Sequence, residues 1–273
     1  MAEPAHVLVF DSGVGALSII REIRKLVPQC SISYGSDTAF FPYGNKPETE
    51  LVERVDAVLK AMEVRCKPDI IVVACNTAST VALPKIRDHF KIPTVGVVPA
   101  IRPAAQRSQS KVIGLLATPG TVARDYTHQL IKDFASDCTV ISVGSSELVQ
   151  QAERKLRGLS IDQNLIDEWV SRLWLQPKGD QIDTIVLACT HFPLLLPELA
   201  NTSRANITWI DSGEAIARRV QYWIGENNLP LMGEPSFRTI MTSNTDNIED
   251  LAAYLDKLLP GPMETITVPG IMR

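Results

Sequence analysis

Two of the five cysteines lie in matching sequence contexts. Cys75 lies in Ile71-Val-Val-Ala-Cys-Asn-Thr, and Cys189 lies in Ile185-Val-Leu-Ala-Cys-Thr-His. The apolar residues before each cysteine are typical of a strand buried on both faces, and hydrogen-bonding residues follow each thiol. A free cysteine is often only a small buried hydrophobic residue. Because the context occurs twice, we predict that both thiols are functional.

Two thiols on opposite sides of a carbon atom can invert its configuration, because one removes a proton and the other returns one on the opposite face. The position of Cys75 before a helix start predicts a lowered thiol pKa. His191, two residues after Cys189, can accept a thiol proton or stabilise a thiolate. Cys30, Cys66 and Cys138 lack these neighbours and are expected to be structural.

The segment Asp11-Ser12-Gly13-Val14-Gly15 lies between the first apolar stretch and the first helical pattern. Its glycines allow a tight turn, and the backbone N–H groups at a helix start can hold an anion. A dinucleotide fingerprint would ideally have a glycine where Ser18 stands, and Asp11 in front of the turn would repel a pyrophosphate, which argues against nucleotide binding. The aromatic loop Phe40–Asn45 is expected to be either a pocket wall or a packed turn.

Composition excludes several classes of protein. The chain of 273 residues has a net charge of −4, without the basic surface that binds nucleic acid. The apolar stretches are too short to span a bilayer, and the N-terminal residues do not resemble a signal peptide, so we expect a cytoplasmic protein. The odd number of cysteines and the absence of zinc-type spacing predict neither a disulfide framework nor a metal site.

Elements that could position the thiols alternate between short apolar strands and amphipathic helices. This alternation predicts an α/β fold made of two similar doubly wound parallel-sheet lobes that face each other across a cleft. Residues 98–110 contain two prolines and a polar tail, which indicates a hinge or linker. Both Ala-Cys motifs would then lie at the carboxyl ends of strands, where such sheets bind ligands.

Motifs along nearly the whole chain resemble those of glutamate racemases, members of the cofactor-independent Asp/Glu racemase family. The matching stretches are Phe10-Asp-Ser-Gly-Val-Gly, Pro42-Tyr-Gly, Ala74-Cys-Asn-Thr-Ala-Ser, Val95-Gly-Val-Val-Pro-Ala-Ile, Gly120-Thr, Ala188-Cys-Thr-His-Phe-Pro-Leu-Leu and Asp211-Ser-Gly. The resemblance implies two-cysteine proton transfer that interconverts L- and D-glutamate and supplies D-glutamate for peptidoglycan and cell wall biogenesis. It also implies one lobe from residues 1–98 plus 208–273, carrying Cys75, and another from 99–207, carrying Cys189.

The resemblance assigns roles to individual residues. Cys75 and Cys189 would be the two acid/base groups, with Asp11 assisting the first, His191 assisting the second, and Glu147 as the acidic residue of the second lobe. The residues that it places at the substrate are Asp11, Ser12, Pro42, Tyr43, Gly44, Asn76, Thr77, Thr121, Thr190 and His191. No cofactor is expected, since no pyridoxal phosphate signature is present.

Several alternatives remain at this point. The nearest is a racemase for aspartate or another amino acid on the same fold, although the Pro-Tyr-Gly and Asp-Ser-Gly motifs favour glutamate. A thiol hydrolase that uses one cysteine with His191, or a non-catalytic two-lobed binding module, would also fit the strand-end motifs. Resemblance to the proteobacterial branch suggests a possible cell-wall-precursor activator. We expect a monomer or homodimer that binds neither nucleic acid nor membrane.

Overall fold

A computed structural model of the chain describes residues 3–202, 204, 206–244 and 248–268. It has ten strands: β1 (His6–Asp11), β2 (Ser31–Ser36), β3 (Ile70–Val73), β4 (Thr94–Gly96), β5 (Val112–Ala117), β6 (Thr139–Gly144), β7 (Thr184–Ala188), β8 (Thr208–Ile210), β9 (Phe237–Met241) and β10 (Met263–Thr265). The helices are α1 (Ala16–Leu26), α2 (Glu48–Cys66), α3 (Asn76–His89), α4 (Ile101–Arg107), α5 (Pro119–Ala123), α6 (Asp125–Phe134), α7 (Glu147–Leu156), α8 (Gln163–Trp174), α9 (Leu196–Thr202), α10 (Gly213–Glu226) and α11 (Ile248–Leu258).

The first sheet has the strand order β10-β9-β2-β1-β3-β4, and each neighbouring pair is parallel. Its order reverses between β1 and β3, which creates a crevice at the carboxyl ends of these two strands. Asp11 ends β1, and Cys75 follows β3 after one residue. The fold therefore brings Asp11 and Cys75 together at the point where the strand order reverses, which we call the switch point of the sheet.

The second sheet repeats this arrangement with the order β6-β5-β7-β8, again with parallel neighbours. Its reversal lies between β5 and β7, and Cys189 directly follows β7. Thr118, directly after β5, takes the place that Ser12 takes after β1. The predicted fold of two doubly wound parallel sheets with covering helices is confirmed.

Two boundaries differ from the sequence-based expectation. We expected residues 208–273, and therefore β8, to belong to the first lobe. Instead, Thr208, Trp209 and Ile210 of β8 pair with β7 of the second sheet. The supposed linker 98–110 contains helix α4, which buries Ile101, Ala104 and Ala105 against the second sheet. Their i, i+3, i+4 spacing is that of an apolar helix face, and the proline lies in the first turn, where a helix tolerates it.

The C-terminal part of the chain returns to the first sheet, where β9 pairs with β2 and β10 pairs with β9. Parts of the expected lobes, at residues 1–2, 203, 205, 245–247 and 269–273, lie outside the described residues. One cluster of buried apolar side chains includes members of both sheets, for example Val9 and Leu187. The two lobes are thus packed against each other. No helix in the described part of the chain is long and apolar enough to cross a membrane.

Candidate active site

A pocket of about 360 Å³ lies between the two switch points. Both thiols line it, and each is almost fully buried, with Cys75 7% and Cys189 6% exposed. The predicted residues that join them in the lining are Ser12, Pro42, Tyr43, Gly44, Asn76, Thr77, Thr190 and His191. The structure therefore brings most of the predicted site residues together from segments far apart in the chain.

Cys75 lies at the N-cap position of α3, next to Asp11. Burial and the neighbouring Asp11 charge raise the pKa of the Cys75 thiol well above its usual value, although the Ala78 backbone N–H opposes this. The sequence-based prediction of a lowered pKa is wrong, because desolvation and a nearby carboxylate outweigh one helix end. At neutral pH Cys75 therefore holds its proton and is suited to act as an acid.

Asp11 joins the two lobes directly behind the pocket. Its carboxylate accepts hydrogen bonds from the Ser12 backbone N–H at 2.6 Å and from the Thr190 hydroxyl at 2.8 Å. Burial raises the pKa of Asp11, although the charge of His191 and these hydrogen bonds act in the opposite direction. Asp11 is fully buried and lies outside the pocket lining, so it is positioned to act through Cys75.

Cys189 has a different partner. Its Sγ lies 3.8 Å from Nδ1 of His191, and Nε2 of the same ring lies 2.9 Å from Oε1 of Glu153. Burial alone would lower the pKa of His191, but the hydrogen bonds and charges of Cys189 and Glu153 raise it well above its usual value. His191 is therefore an imidazolium at neutral pH, which stabilises negative charge on the Cys189 sulfur.

Glu153 is the acidic residue that the sequence analysis missed. Burial alone would raise the pKa of this carboxyl, but His191, Arg157 and the Val14 amide hold it below its usual range. Glu147, the predicted acid, is exposed at the first turn of α7, where it accepts a hydrogen bond from Ser145 at 3.2 Å. Neither acid lies in the pocket lining, but Glu153 contacts His191 directly, whereas Glu147 contacts Ser145.

The glycine turn after β1 is in contact with the second lobe. The Val14 backbone N–H donates a 2.7 Å hydrogen bond to Oε1 of Glu153, so the predicted anion site holds a carboxylate of the protein itself. A Cβ on Gly13 would lie 2.1 Å from that oxygen, and one on Gly15 would lie 2.5 Å from the Thr190 hydroxyl oxygen. Only glycine permits this approach, and the space that a dinucleotide pyrophosphate would need is filled.

A buried polar network supports the Pro42–Gly44 wall of the pocket. The Asp37 carboxylate accepts hydrogen bonds from the Tyr43 hydroxyl at 2.7 Å, from Nε and Nη2 of Arg54 at 2.9 and 2.7 Å, and from Thr242 at 2.7 Å. Asp37 is fully buried and Arg54 nearly so. This charge pair fixes the Tyr43 ring, and with it the backbone turn that faces the pocket.

Three threonines form a hydroxyl cluster where α3 meets the second lobe. The Thr118 oxygen lies 3.1 Å from that of Thr77 and 2.9 Å from that of Thr121. Thr118 lines the pocket, whereas Thr121, a predicted substrate contact, is fully buried behind it. Ser146 and Val149 also line the pocket without having been predicted. The equivalent positions of Thr118 after β5 and Ser12 after β1 are the signal that could have identified Thr118.

The pocket contains two thiols with different neighbours and one unpaired amide donor. Nδ2 of Asn76 is buried in the pocket wall and has no hydrogen-bond partner among the described residues. An unpaired buried amide is unfavourable unless a ligand satisfies it, so we expect this group to bind substrate. Within the described ranges, no three His, Cys, Asp or Glu side chains are arranged to hold a metal ion.

Comparisons with known proteins identify relatives of this chain. The model of the Asp/Glu/hydantoin racemase family matches residues 17–220. The glutamate racemase of Serratia proteamaculans is 46% identical over 255 residues, which cover 93% of this chain and 85% of that one. That of Pectobacterium carotovorum is 48% identical over 226 residues, covering 82% and 79%. The crystal structure of Escherichia coli glutamate racemase in complex with L-glutamate and activator UDP-MurNAc-Ala superposes with a TM-score of 0.91 and 43% identity, covering 98% of this chain and all of that one.

Proposed function

The chain belongs to the Asp/Glu/hydantoin racemase family and is an amino-acid racemase, and we propose that its substrate is glutamate, inverted by proton transfer between Cys75 and Cys189. The observation that carries the mechanism is that two thiols from opposite lobes line one pocket, each with a different partner. A hydrolase would need only one of them.

The proposed reaction begins with the α-carbon of glutamate between the two sulfurs. In one direction the Cys189 thiolate, paired with protonated His191, removes the α-proton, and the Cys75 thiol delivers its proton to the opposite face. The roles exchange in the reverse direction. The carbanion-like charge on the substrate would be stabilised by donors in the pocket wall, among them the unpaired Nδ2 of Asn76.

Glutamate is preferred to aspartate as the proposed substrate because the close relatives named above are glutamate racemases. We further propose that the D-glutamate formed is used for peptidoglycan synthesis. The enzyme would work in the cytoplasm, which agrees with five free cysteines and with a mechanism that requires reduced thiols. Because the Escherichia coli structure contains UDP-MurNAc-Ala as activator, we propose that a similar precursor activates this enzyme.

The test is incubation with L-glutamate in deuterated water, with and without UDP-MurNAc-Ala, followed by measurement of D-glutamate and of α-deuterium. We expect both to appear, and we expect L-aspartate to react much more slowly. Replacing either Cys75 or Cys189 by serine should lower turnover at least about 100-fold. Cys138→Ser, at a half-exposed cysteine away from the pocket, is the matched control and should retain activity.

Each rival makes a different prediction in the same experiment. A thiol hydrolase would lose function on replacement of only one of the two cysteines. A binding module would incorporate no α-deuterium under any condition. An aspartate racemase would process L-aspartate faster than L-glutamate.

A further inference from the structure

Arg124 is a cation that the fold buries beside the pocket with few partners. It lies between α5 and α6, and its side chain is only 13% exposed. Its Nε–H is buried and has no hydrogen-bond partner among the residues that the structure describes. Its ion-pair partner is Oε2 of Glu48, 3.4 Å from Nη1, on a side chain that is 66% exposed. At that distance and exposure the pair contributes little to stability.

The Arg124 guanidinium lies behind the Gly44 wall of the pocket, where the two lobes meet. A Cβ placed on Gly120 would be 2.8 Å from the Gly44 carbonyl oxygen and 3.6 Å from Nη2 of Arg124. Burial lowers the pKa of Arg124, while the charges of Glu48 and Cys75 act in the opposite direction. The guanidinium therefore acts electrostatically on Glu48 and on the ionised form of Cys75.

The pocket itself presents few positive groups to an anionic ligand. None of its described lining residues is an arginine or a lysine, and the one imidazolium, His191, is already paired with Glu153. Asp11 adds negative charge behind Cys75. An amino acid with two carboxylates carries a net negative charge, so these groups alone would repel it. Arg124 is positioned to offset that repulsion.

We infer that Arg124 is a specificity-determining residue that attracts the second carboxylate of a dicarboxylic amino acid into the cleft, and that Glu48 is the carboxylate that the substrate competes with. This inference rests on the proposed function. Glu48 begins α2 in the first lobe and Arg124 follows α5 in the second, so the pair spans the contact between the lobes. Substrate would weaken the contact with Glu48 as its own carboxylate enters.

A purely structural bridge is the alternative explanation of the Glu48–Arg124 pair. A second polar bridge between the lobes, from Ser146 to Asn45 at 2.9 Å, shows that such contacts exist here. The two explanations predict different effects of removing Arg124 and Glu48 on catalysis. If the pair only holds the lobes together, removing either partner should affect catalysis in the same direction. If Arg124 attracts substrate and Glu48 competes, removing the two should have opposite effects.

Steady-state kinetics with L-glutamate at low and moderate ionic strength separates these explanations. We expect Arg124→Gln to raise KM about tenfold, with kcat within about twofold, and to weaken the salt dependence of kcat/KM. Arg124→Lys should recover part of the loss, and Glu48→Gln should lower KM. Arg107→Gln, at an exposed arginine that ends α4, is the charge-matched control and should leave KM unchanged. Shifts of KM in the same direction for Arg124→Gln and Glu48→Gln would overturn the inference, as would no shift in Arg124→Gln.

A second measurement does not depend on which substrate the enzyme uses. The rates at which anionic iodoacetate and neutral iodoacetamide modify Cys75 and Cys189 can be followed by peptide mass spectrometry. We expect the iodoacetate-to-iodoacetamide ratio to fall several-fold in Arg124→Gln and to rise in Glu48→Gln. An unchanged ratio in both variants would overturn the role of Arg124. Failure of the unsubstituted enzyme to racemise glutamate would instead overturn the proposed function, and the alkylation ratio would still decide the role of Arg124.

Discussion

Glu153 lies 2.9 Å from the ring of His191, and this contact connects the glycine turn of the first lobe to the second thiol. The carboxylate lies between the imidazolium and the Val14 amide, so it orients the ring that faces Cys189. Arg157 pairs with its second oxygen at 2.7 Å. Three groups, the His191 ring, the Val14 amide and the Arg157 guanidinium, thus converge on one carboxylate that lies outside the pocket lining.

The first prediction concerns the dependence of stability on pH. The pKa of Glu153 is lowered, so its contribution is present above pH 4.5 and is lost as pH falls through the folded-state value. The pKa of His191 is raised, so its contribution is full below pH 6.5 and is lost as pH rises through the folded-state value. The unsubstituted protein should therefore exceed Glu153→Gln in unfolding free energy by about 1–3 kcal/mol, most strongly between these limits. Urea denaturation across pH 3–9 measures the difference, and a difference independent of pH would contradict the assignment.

The second prediction compares the two acidic residues of α7. Glu153→Gln should lower kcat at least about tenfold, because His191 loses the partner that keeps it protonated and oriented. Glu147→Gln, at the exposed first turn of the same helix, should stay within about twofold of the unsubstituted enzyme. Racemisation assays on purified variants decide this. Equal losses in both would restore Glu147 to the mechanism.

The third prediction concerns the reactivity of Cys75. Because the Asp11 charge contributes to the raised pKa of the thiol, Asp11→Asn should lower that pKa and speed alkylation of Cys75 by iodoacetamide at pH 8 several-fold. Racemase activity should nevertheless fall, since Asp11 also holds Thr190. The alkylation rate of Cys138 gives the internal reference, and slower modification of Cys75 would show that Asp11 acts differently.

The fourth prediction uses two glycines. Gly15→Ala should impair turnover strongly, because a Cβ there would lie within 2.6 Å of side-chain atoms of Thr190, Asp11 and His191. Gly225→Ala, in α10, has open space around the added atom and should leave activity intact while stabilising the protein by about 0.5–1 kcal/mol. Activity and thermal unfolding of both variants provide the test. Full activity in Gly15→Ala would mean that the lobes do not need this close approach.

The fifth prediction concerns the network below Tyr43. Arg54→Gln leaves the buried Asp37 carboxylate without its cation and should cost about 3–5 kcal/mol of unfolding free energy. Arg172→Gln breaks a surface pair with Glu168 and should cost less than about 1 kcal/mol. Chemical denaturation of the two variants gives the comparison, and similar small losses would argue against a structural role for the Asp37–Arg54 pair.

The alternation of strands and helices was sufficient to predict the fold class, and the resemblance of the strand-end motifs to those of glutamate racemases predicted most of the pocket lining. These signals are local, since each depends on a short run of residues at a strand end. Glu153 could not be found in this way, because it lies inside a helix without a motif and meets His191 only through the packing of the lobes. The direction of the Cys75 pKa shift required the burial and charge around the sulfur, which no spacing of residues reveals.

The hydrogen bond from Val14 to Glu153 also has a consequence for lobe exchange between relatives. In the first lobe, the Val14 amide needs an acceptor from the second lobe, and the missing side chains of Gly13 and Gly15 leave space that side chains of the second lobe occupy. A chimaera that combines lobes from two racemases should therefore work only if both parents have small residues in the turn and a carboxylate at the facing position of α7. Exchange of one lobe alone should disrupt the contact between the glycine turn and Glu153 unless the new lobe supplies the same groups.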